Sequence, residues 1–181
     1  IAEGDGGKVY AKTGGSPNAA IVGLNDIVYA TQNGGAVGGW RSETNISPSI
    51  QKIDADRNIE EICLSSSDGV LKAPNDLVFA QDGSLWFTDS GQAFDFENMV
   101  EHSRIIKLSK NRDSETILDT GPVYNNGISL DNENNIWWAE TVPLAMCKLV
   151  DGKRKEICTL PENHFPDGFV AAKDGRIFIA T

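Results

Sequence analysis

The sequence is poor in cysteine and has no long apolar run. Its three cysteines, Cys63, Cys147 and Cys158, are odd in number and lack the spacing of a metal site, which predicts reduced thiols and favours a cytoplasmic protein. Because no apolar stretch approaches the length of a bilayer-spanning helix, no membrane partner is predicted. The composition is otherwise that of a globular protein with one core.

Basic residues are outnumbered by acidic ones. Lysine and arginine total 16 against 26 aspartates and glutamates, which gives a net charge of −10. This balance does not suit a protein that follows a nucleic-acid backbone, so no nucleic-acid partner is predicted. The glycine pairs at 34–35 and 38–39 are not followed by Lys-Ser or Lys-Thr, which argues against a phosphate-binding loop. Neither His102 nor His164 accompanies a nucleophile motif, so a Ser-His-Asp triad is not predicted.

What the sequence does contain is a repeated pattern. Four segments begin with an Asn or Asp next to a Gly, Asp or Ala, continue as a short apolar run, and pass through a polar turn into an aromatic-rich run. The opening residues are Asn18, Asn75, Asn126 and Asp167. They recur 57, 51 and 41 residues apart, which indicates a repeat architecture with oxygen-bearing side chains at equivalent points.

The apolar runs are typical of β-strands rather than helices. Residues 77–79 form a run too short for a helix, and residues 85–88 are rich in side chains that suit a pleated surface. The Asp82-Gly83 pair between them favours a tight hairpin, because glycine adopts positive φ without strain. Further strand-like segments follow, so each repeat has the four strands of a propeller blade. No helix is predicted.

The predicted fold is therefore an all-β propeller of one domain, incomplete in this chain. Its units are three complete blades, 17–73, 74–123 and 124–165, with partial blades at 1–16 and 166–181. Open sheet edges carry unpaired backbone groups. We therefore expect either flanking sequence or a second copy of the chain, in a homo-oligomer, to complete or cover the ring.

Residues 73–91 resemble the signature of the gluconolactonase / senescence-marker-protein / luciferin-regenerating-enzyme family. The openings at Asn126 and Asp167 match that family's next two blade openings in order, and residues 14–18 and 32–35 resemble the preceding one. The similarity runs through essentially the whole chain. It implies a six-bladed propeller that holds one divalent cation in its central channel, typically Ca²⁺ with Zn²⁺ or Mg²⁺ as alternatives, and that hydrolyses lactones.

The resemblance also implies roles for the opening residues. Asn126 and Asp167 match metal ligands of the family, and Asp167, the only charged side chain of the set, could act as the general base. Asn75 matches a position that contacts substrate or a bound water, which makes it a catalytic and substrate-binding candidate. Asn18 matches a blade opening only and is a candidate substrate contact.

Two positions depart from the family pattern. The family's remaining ligand is a Glu near the start of the first blade, but Glu3 lies too close to Asn18 to be its equivalent, so no residue is assigned to this role. The site would then hold one formal negative charge, and calcium affinity depends on the number of charged ligands. Ala73 stands where some members carry an Arg that grips sugar acids, and Lys72 beside it is the candidate replacement.

Two functions of different class follow from these residues. One is metal-dependent hydrolysis of a sugar-acid or other small lactone, and the other is a non-catalytic propeller that serves as a binding scaffold. An Asn or Asp before a strand often only caps a turn. Four such residues in register, together with the resemblance, favour a functional role for Asn126 and Asp167. Irregular excursions at 34–48 and 92–101 are either surface loops or lids over that site, and their length does not decide between the two.

Overall fold

A computed structural model of the chain describes residues 2–3, 8–37, 40–91 and 96–181. The glycine pair at 38–39, part of the excursion at 92–101 and the side chain of Glu3 lie outside the described residues. At the beginning of the described chain, β1 (Ala2–Glu3) pairs antiparallel with β2 (Lys8–Val9).

Three four-stranded antiparallel sheets and one two-stranded sheet follow, each a simple up-and-down meander. Sheet I contains β3 (Pro17–Val22), β4 (Val28–Gln32), β7 (Ser49–Ile53) and β8 (Ile59–Cys63). A separate hairpin, β5 (Ala36–Val37) with β6 (Trp40–Arg41), lies between β4 and β7 in the chain. A second hairpin, β9 (Ser65–Ser66) with β10 (Gly69–Val70), follows β8. Sheet II contains β11 (Pro74–Phe79), β12 (Leu85–Asp89), β13 (Ser103–Leu108) and β14 (Ser114–Gly121). Sheet III contains β15 (Asn125–Leu130), β16 (Ile136–Glu140), β17 (Ala145–Val150) and β18 (Lys153–Thr159), and sheet IV contains β19 (Phe169–Ala171) and β20 (Ile177–Ile179).

The hairpin turns use the residues that tolerate positive φ. Gly83 has φ +77° in the turn between β11 and β12, and Asn134 has φ +65° at the corresponding turn of sheet III. Asp151 and Gly152 have φ +50° and +71° in the two-residue turn between β17 and β18. Such turns match the twist of the flanking strands, so local sequence fixes the meander.

The hydrophobic core lies between successive sheets. Sheets I and II enclose one cluster that includes the fully buried Phe87, and sheets II and III enclose another that includes the fully buried Trp138. Truncating either ring to Ala would cost about 3–5 kcal/mol. Ile105 and Ile106 point to opposite faces of β13, and each belongs to a different cluster. This is why that strand shows no apolar–polar alternation, since both of its faces are covered.

The first strands of the four sheets are neighbours in space. β3 contacts β11, β11 contacts β15, and β15 contacts β19. Blades that pack face to face around their first strands define a propeller, and the predicted all-β propeller fold is confirmed. A single 3₁₀ turn at Leu24–Asp26 is the only helical element among the described residues, and none there is long and apolar enough to cross a bilayer.

Candidate active site in the central cavity

Each of the first three opening strands carries a β-bulge at the residues of the repeated pattern. The pairing of β3, β11 and β15 with the next strand shifts register within 17–20, 74–77 and 125–128. A bulge redirects side chains locally. These openings line one cavity of about 580 Å³, the central cavity. Its polar lining consists of Ser16, Asn18, Asn33, Asn75, Asn126, Thr141 and Asp167, and its aromatic and proline lining consists of Pro17, Phe96, Tyr124, Phe165 and Pro166.

Threonine hydroxyl groups hold these openings in place from the neighbouring sheet. Thr88 Oγ1 on β12 accepts a hydrogen bond from the bulged Asp76 N–H at 3.1 Å and donates one to the Asn126 carbonyl oxygen at 2.7 Å. Thr31 Oγ1 on β4 donates in the same way to the Asn75 carbonyl oxygen at 2.7 Å. The side chains of Asn75 and Asn126 are therefore placed by the preceding blade.

The opening at Asp167 is held by different atoms. Thr141 Oγ1 donates to the Pro166 carbonyl oxygen at 2.9 Å, and the Gly127 N–H donates to the Asp167 carbonyl oxygen at 3.1 Å. A Cβ at Gly127 would lie 2.5 Å from that carbonyl oxygen and 2.9 Å from the Gly168 Cα. The close approach of sheets III and IV at this point therefore requires glycine.

The structure brings together four of the five side chains predicted from the sequence. All four line the central cavity: Asn75 is 6% exposed, Asn126 is half-buried, and Asn18 and Asp167 are exposed. Lys72 is not among the described residues that line the cavity. Its backbone N–H donates to the Asp89 carboxylate at 3.1 Å, which fixes the chain just before β11.

The electrostatics of the cavity wall come from two neighbours of these residues. Burial raises the pKa of Tyr124 to about 12, although a hydrogen bond with Asn75 opposes the shift, so Tyr124 stays a neutral phenol at working pH. Burial likewise raises the pKa of Asp76, while N–H donors of Leu77 and Ile128 lower it in part and the nearby Asp167 charge adds to the rise. The Asp76 carboxylate also joins β11 to β15, because it accepts a hydrogen bond from the Ile128 N–H at 2.9 Å.

Asn33 is a cavity residue that the sequence argument did not single out. It is only 9% exposed, and its Oδ1 is buried without a hydrogen-bond partner. Asn33 comes directly after the last residue of β4, and Thr141 comes directly after the last residue of β16. The two residues hold equivalent positions in their sheets, and both line the cavity. Asn33 could have been found from the sequence by aligning residues 32–35 with the ends of β12 and β16, the second strands of sheets II and III.

The donor set suits a hard cation. Asp167 supplies a carboxylate, Asn33 supplies an unpaired amide oxygen, and Asn126 directs its amide nitrogen to Thr141 Oγ1 at 3.2 Å, which leaves its amide oxygen available. Calcium takes carboxylate and amide oxygens, whereas zinc prefers nitrogen and sulfur ligands. Within the described ranges no three His, Cys, Asp or Glu side chains cluster as a metal site, so a cation here would depend on amide oxygens.

Glu140 and His164 are not among the described residues that line the central cavity. Glu140 is fully buried, accepts a hydrogen bond from Trp138 Nε1 and pairs with Arg154, which gives it a structural role. His164 is exposed, and its Nδ1 lies 3.1 Å from the Glu162 carbonyl oxygen. It is not among the described residues of the cavity lining.

Comparison with known proteins places the chain in a family. Residues 5–181 match the profile of the SMP-30/gluconolactonase/LRE-like region, and the chain belongs to that family. The resemblance seen in the sequence is therefore confirmed. No curated protein sequence matches the chain significantly.

Solved structures share the fold at low identity. A gluconolactonase from Xanthomonas campestris has a TM-score of 0.69 at 20% identity, over 90% of this chain and 55% of that one. Virginiamycin B lyase from Staphylococcus aureus has a TM-score of 0.66 at 20% identity, over 93% and 49%. A streptogramin B lyase has a TM-score of 0.63 at 22% identity, over 89% and 46%. The chain thus spans about half the length of these structures.

Proposed function

We propose that the central cavity binds a divalent cation, most readily Ca²⁺, and hydrolyses a small lactone. The observation that supports this is the convergence of Asn75, Asn126 and Asp167, from three separate blades, on one cavity of about 580 Å³ in a chain of the gluconolactonase family. A cavity of this size suits a small ligand.

Asn126 and Asp167 would hold the cation, with the unpaired Asn33 oxygen as a further donor. When bound, a calcium ion supplies positive charge that polarises a carbonyl oxygen and stabilises negative charge developing on it. The chain contributes a single carboxylate to the described lining. Because affinity follows the number of charged ligands, this chain should bind calcium weakly.

Asp167 is the proposed general base. Its carboxylate takes a proton from a water whose oxygen adds to the lactone carbonyl carbon. The ring C–O bond then breaks, the ring oxygen takes up a proton, and the product is an open hydroxy acid. Asp167 is the one carboxylate that lines the described cavity, which makes it the candidate for this proton transfer.

Neutral polar groups would orient the substrate. Asn75 is held by its hydrogen bond with Tyr124, and Tyr124 is fixed in turn by an edge-on contact with Phe96, whose ring centroid lies 4.9 Å away. Phe96 belongs to the 92–101 excursion, which therefore supplies part of the cavity wall. Asn18 lies at the rim and would contact the substrate.

The test is proton release from a sugar-acid lactone and an aliphatic lactone, with Ca²⁺ and with a chelator. We expect hydrolysis only with the cation. Asp167→Asn should lower kcat by about 10²–10⁴-fold, the range for loss of a general base, and Asn126→Ala should remove most of the turnover. His164→Ala, an exposed histidine outside the lining, should change it little. A severe His164→Ala effect would show that the base is assigned wrongly.

Cation binding needs a readout that does not depend on turnover. Tb³⁺ replaces Ca²⁺ at oxygen sites and luminesces when an excited tyrosine lies nearby, as Tyr124 would in the cavity. We expect luminescence that Ca²⁺ competes away and that Asp167→Asn and Asn126→Ala reduce. Cation and lactone binding without hydrolysis would support the scaffold alternative instead, whereas binding that both variants leave intact would exclude this cavity as the cation site.

A further inference from the structure

A second cavity, the inter-sheet cavity, lies between sheets I and II. It has a volume of about 240 Å³ and is lined in part by Gly83, in the turn after β11, and by Lys110, in the turn after β13. These turns lie at the opposite end of β11 from Asn75, so the inter-sheet cavity is separate from the central cavity.

The inner wall of the inter-sheet cavity is apolar and aromatic. Tyr29 and Phe79 meet edge to face, with ring centroids 5.0 Å apart at an interplanar angle of 86°. A Cβ at Gly23 would lie 2.8 Å from the Tyr29 ring and 3.2 Å from the Phe79 ring, so the glycine leaves space for this pair. The side chain of Leu85, 3% exposed, also lines the cavity. A flat apolar group would find favourable contacts here.

Positive charge surrounds the mouth of the same cavity. Lys52, Lys110 and Arg112 all line it. Glu60 lies 3.9 Å from the Lys52 ammonium and 2.5 Å from the Arg112 guanidinium, whereas Lys110 pairs with no carboxylate in the described part of the chain. Three cations and one carboxylate leave a net charge of +2 at this point of a chain whose net charge is −10.

The Lys110 side chain lies against Gly83 in the neighbouring turn. A Cβ at residue 83 would overlap Lys110 Cε and lie 2.8 Å from its Nζ. Gly83 therefore serves two purposes: it adopts the positive φ of the turn, and it leaves the space in which the Lys110 stem lies.

The corresponding cavity between sheets III and IV has the opposite character. It has a volume of about 290 Å³ and is lined by Asp131 and Glu133, with Lys148 as the cation of its lining. Trp137 pairs with Lys148 across β16 and β17, as Tyr29 pairs with Lys52 across β4 and β7, so the positions are equivalent. The interface of sheets III and IV thus lacks the cationic cluster of sheets I and II, so the cluster does not follow from the repeat.

We propose that the inter-sheet cavity binds a small organic acid whose carboxylate pairs with Lys110 and whose flat apolar body packs against Tyr29 and Phe79. The volume is below the roughly 300–1,000 Å³ of pockets that take drug-sized molecules, so the ligand is of the size of benzoate. The unpaired ammonium provides a charge-assisted hydrogen bond, and the aromatic edges provide the apolar contact. This site does not depend on the proposed hydrolysis in the central cavity.

The test uses benzoate as probe and its neutral isostere benzamide as control, titrated into the ¹⁵N-labelled chain at low ionic strength. We expect saturable backbone amide shifts at Gly83, Lys110 and Arg112 with benzoate, and at least about fivefold weaker binding of benzamide. Lys110→Met should weaken benzoate binding at least about fivefold, and Lys110→Arg should retain it. Lys155→Met, an exposed lysine on β18, should leave it unchanged.

Other results overturn the proposal. Equal binding of benzoate and benzamide would mean that no cation recognises the ligand. Shifts confined to Asn126 and Asp167 would place the acid in the central cavity. Because Lys110 is exposed, its substitution should not disturb folding, and unchanged benzoate affinity in Lys110→Met would remove Lys110 from the site.

Discussion

The side chain of Thr88 joins two blades by donating a hydrogen bond to the Asn126 carbonyl oxygen at 2.7 Å. Thr88 Oγ1 also accepts a hydrogen bond from the bulged Asp76 N–H of its own sheet at 3.1 Å. One buried hydroxyl therefore fixes both the bulge of sheet II and the opening of sheet III, which is the segment that presents Asn126 to the central cavity.

Thr88→Val should destabilise the fold and disturb the cavity. The substitution keeps the shape of the side chain but leaves the partly buried Asp76 N–H and Asn126 carbonyl group without their partner, at a cost of about 1–3 kcal/mol. Urea unfolding measures the free energy, and Tb³⁺ luminescence reports the cavity. Thr88→Ser retains the hydroxyl and should lose much less. Equal losses in the two variants would show that the methyl group, not the hydroxyl, matters.

Gly127→Ala should impair the central cavity more than its small size suggests. The added Cβ would lie 2.5 Å from the Asp167 carbonyl oxygen, a backbone atom that can move only if sheet IV moves. We expect weaker Tb³⁺ binding and lower lactone turnover. Gly168→Ala is the matched control, because nothing lies within 4 Å of the position of its Cβ. Similar behaviour of both alanine variants would contradict the proposed close approach of the blades.

Much of the fold could be predicted because its signals are local. A pair such as Asp82-Gly83 marks a turn through backbone conformation alone, and the strands on either side alternate or form short apolar runs. The openings at Asn75, Asn126 and Asp167 could be found because they repeat in register. Their placement on one cavity then followed from the fold class.

The remainder depends on contacts between residues that are distant in sequence. The Asp89 carboxylate pairs with Arg104 and also accepts hydrogen bonds from the backbone N–H groups of Lys72 and Ala73. These bonds hold Lys72 in a segment that does not line the described cavity. The unpaired oxygen of Asn33 depends on which groups surround that side chain in the folded chain, and the sequence does not show them. Nothing in the sequence near Glu140 shows that its charge is balanced by Arg154, because that pair forms across sheet III.

Arg154→Met should be strongly destabilising. Arg154 donates to both Glu140 oxygens, at 2.8 and 2.7 Å, and Glu140 is fully buried. Removal of the cation leaves an uncompensated buried carboxylate, which costs about 3 kcal/mol. Glu156→Gln, which removes the exposed second partner of the same arginine, should have little effect.

The double variant Glu140→Gln/Arg154→Met separates charge from packing. Because the amide is neutral and can still accept the hydrogen bond from Trp138, it should recover part of the stability lost in Arg154→Met. Thermal or urea unfolding of the four proteins gives the coupling energy. Additive losses would mean that the two side chains do not interact energetically.

The stability contributed by Asp131 should depend on pH. Burial opposes ionisation of this carboxyl, but hydrogen bonds from Trp137, Asn135 and Lys148 outweigh it and lower its pKa. A group whose pKa is lowered by folding stabilises the native state above its unfolded pKa of about 3.9, and this contribution is lost as pH falls through the folded pKa.

Asp131→Asn should therefore lower the free energy of unfolding by about 1–2 kcal/mol at pH 7, because the amide cannot accept as many charge-assisted hydrogen bonds. The difference between the two proteins should shrink as the pH falls below about 4. Asp56→Asn, on an exposed turn, should change stability little at either pH. A deficit of the Asp131 variant that stays constant from pH 7 to pH 3 would show that the side chain acts through shape rather than charge, since protonation would then remove nothing.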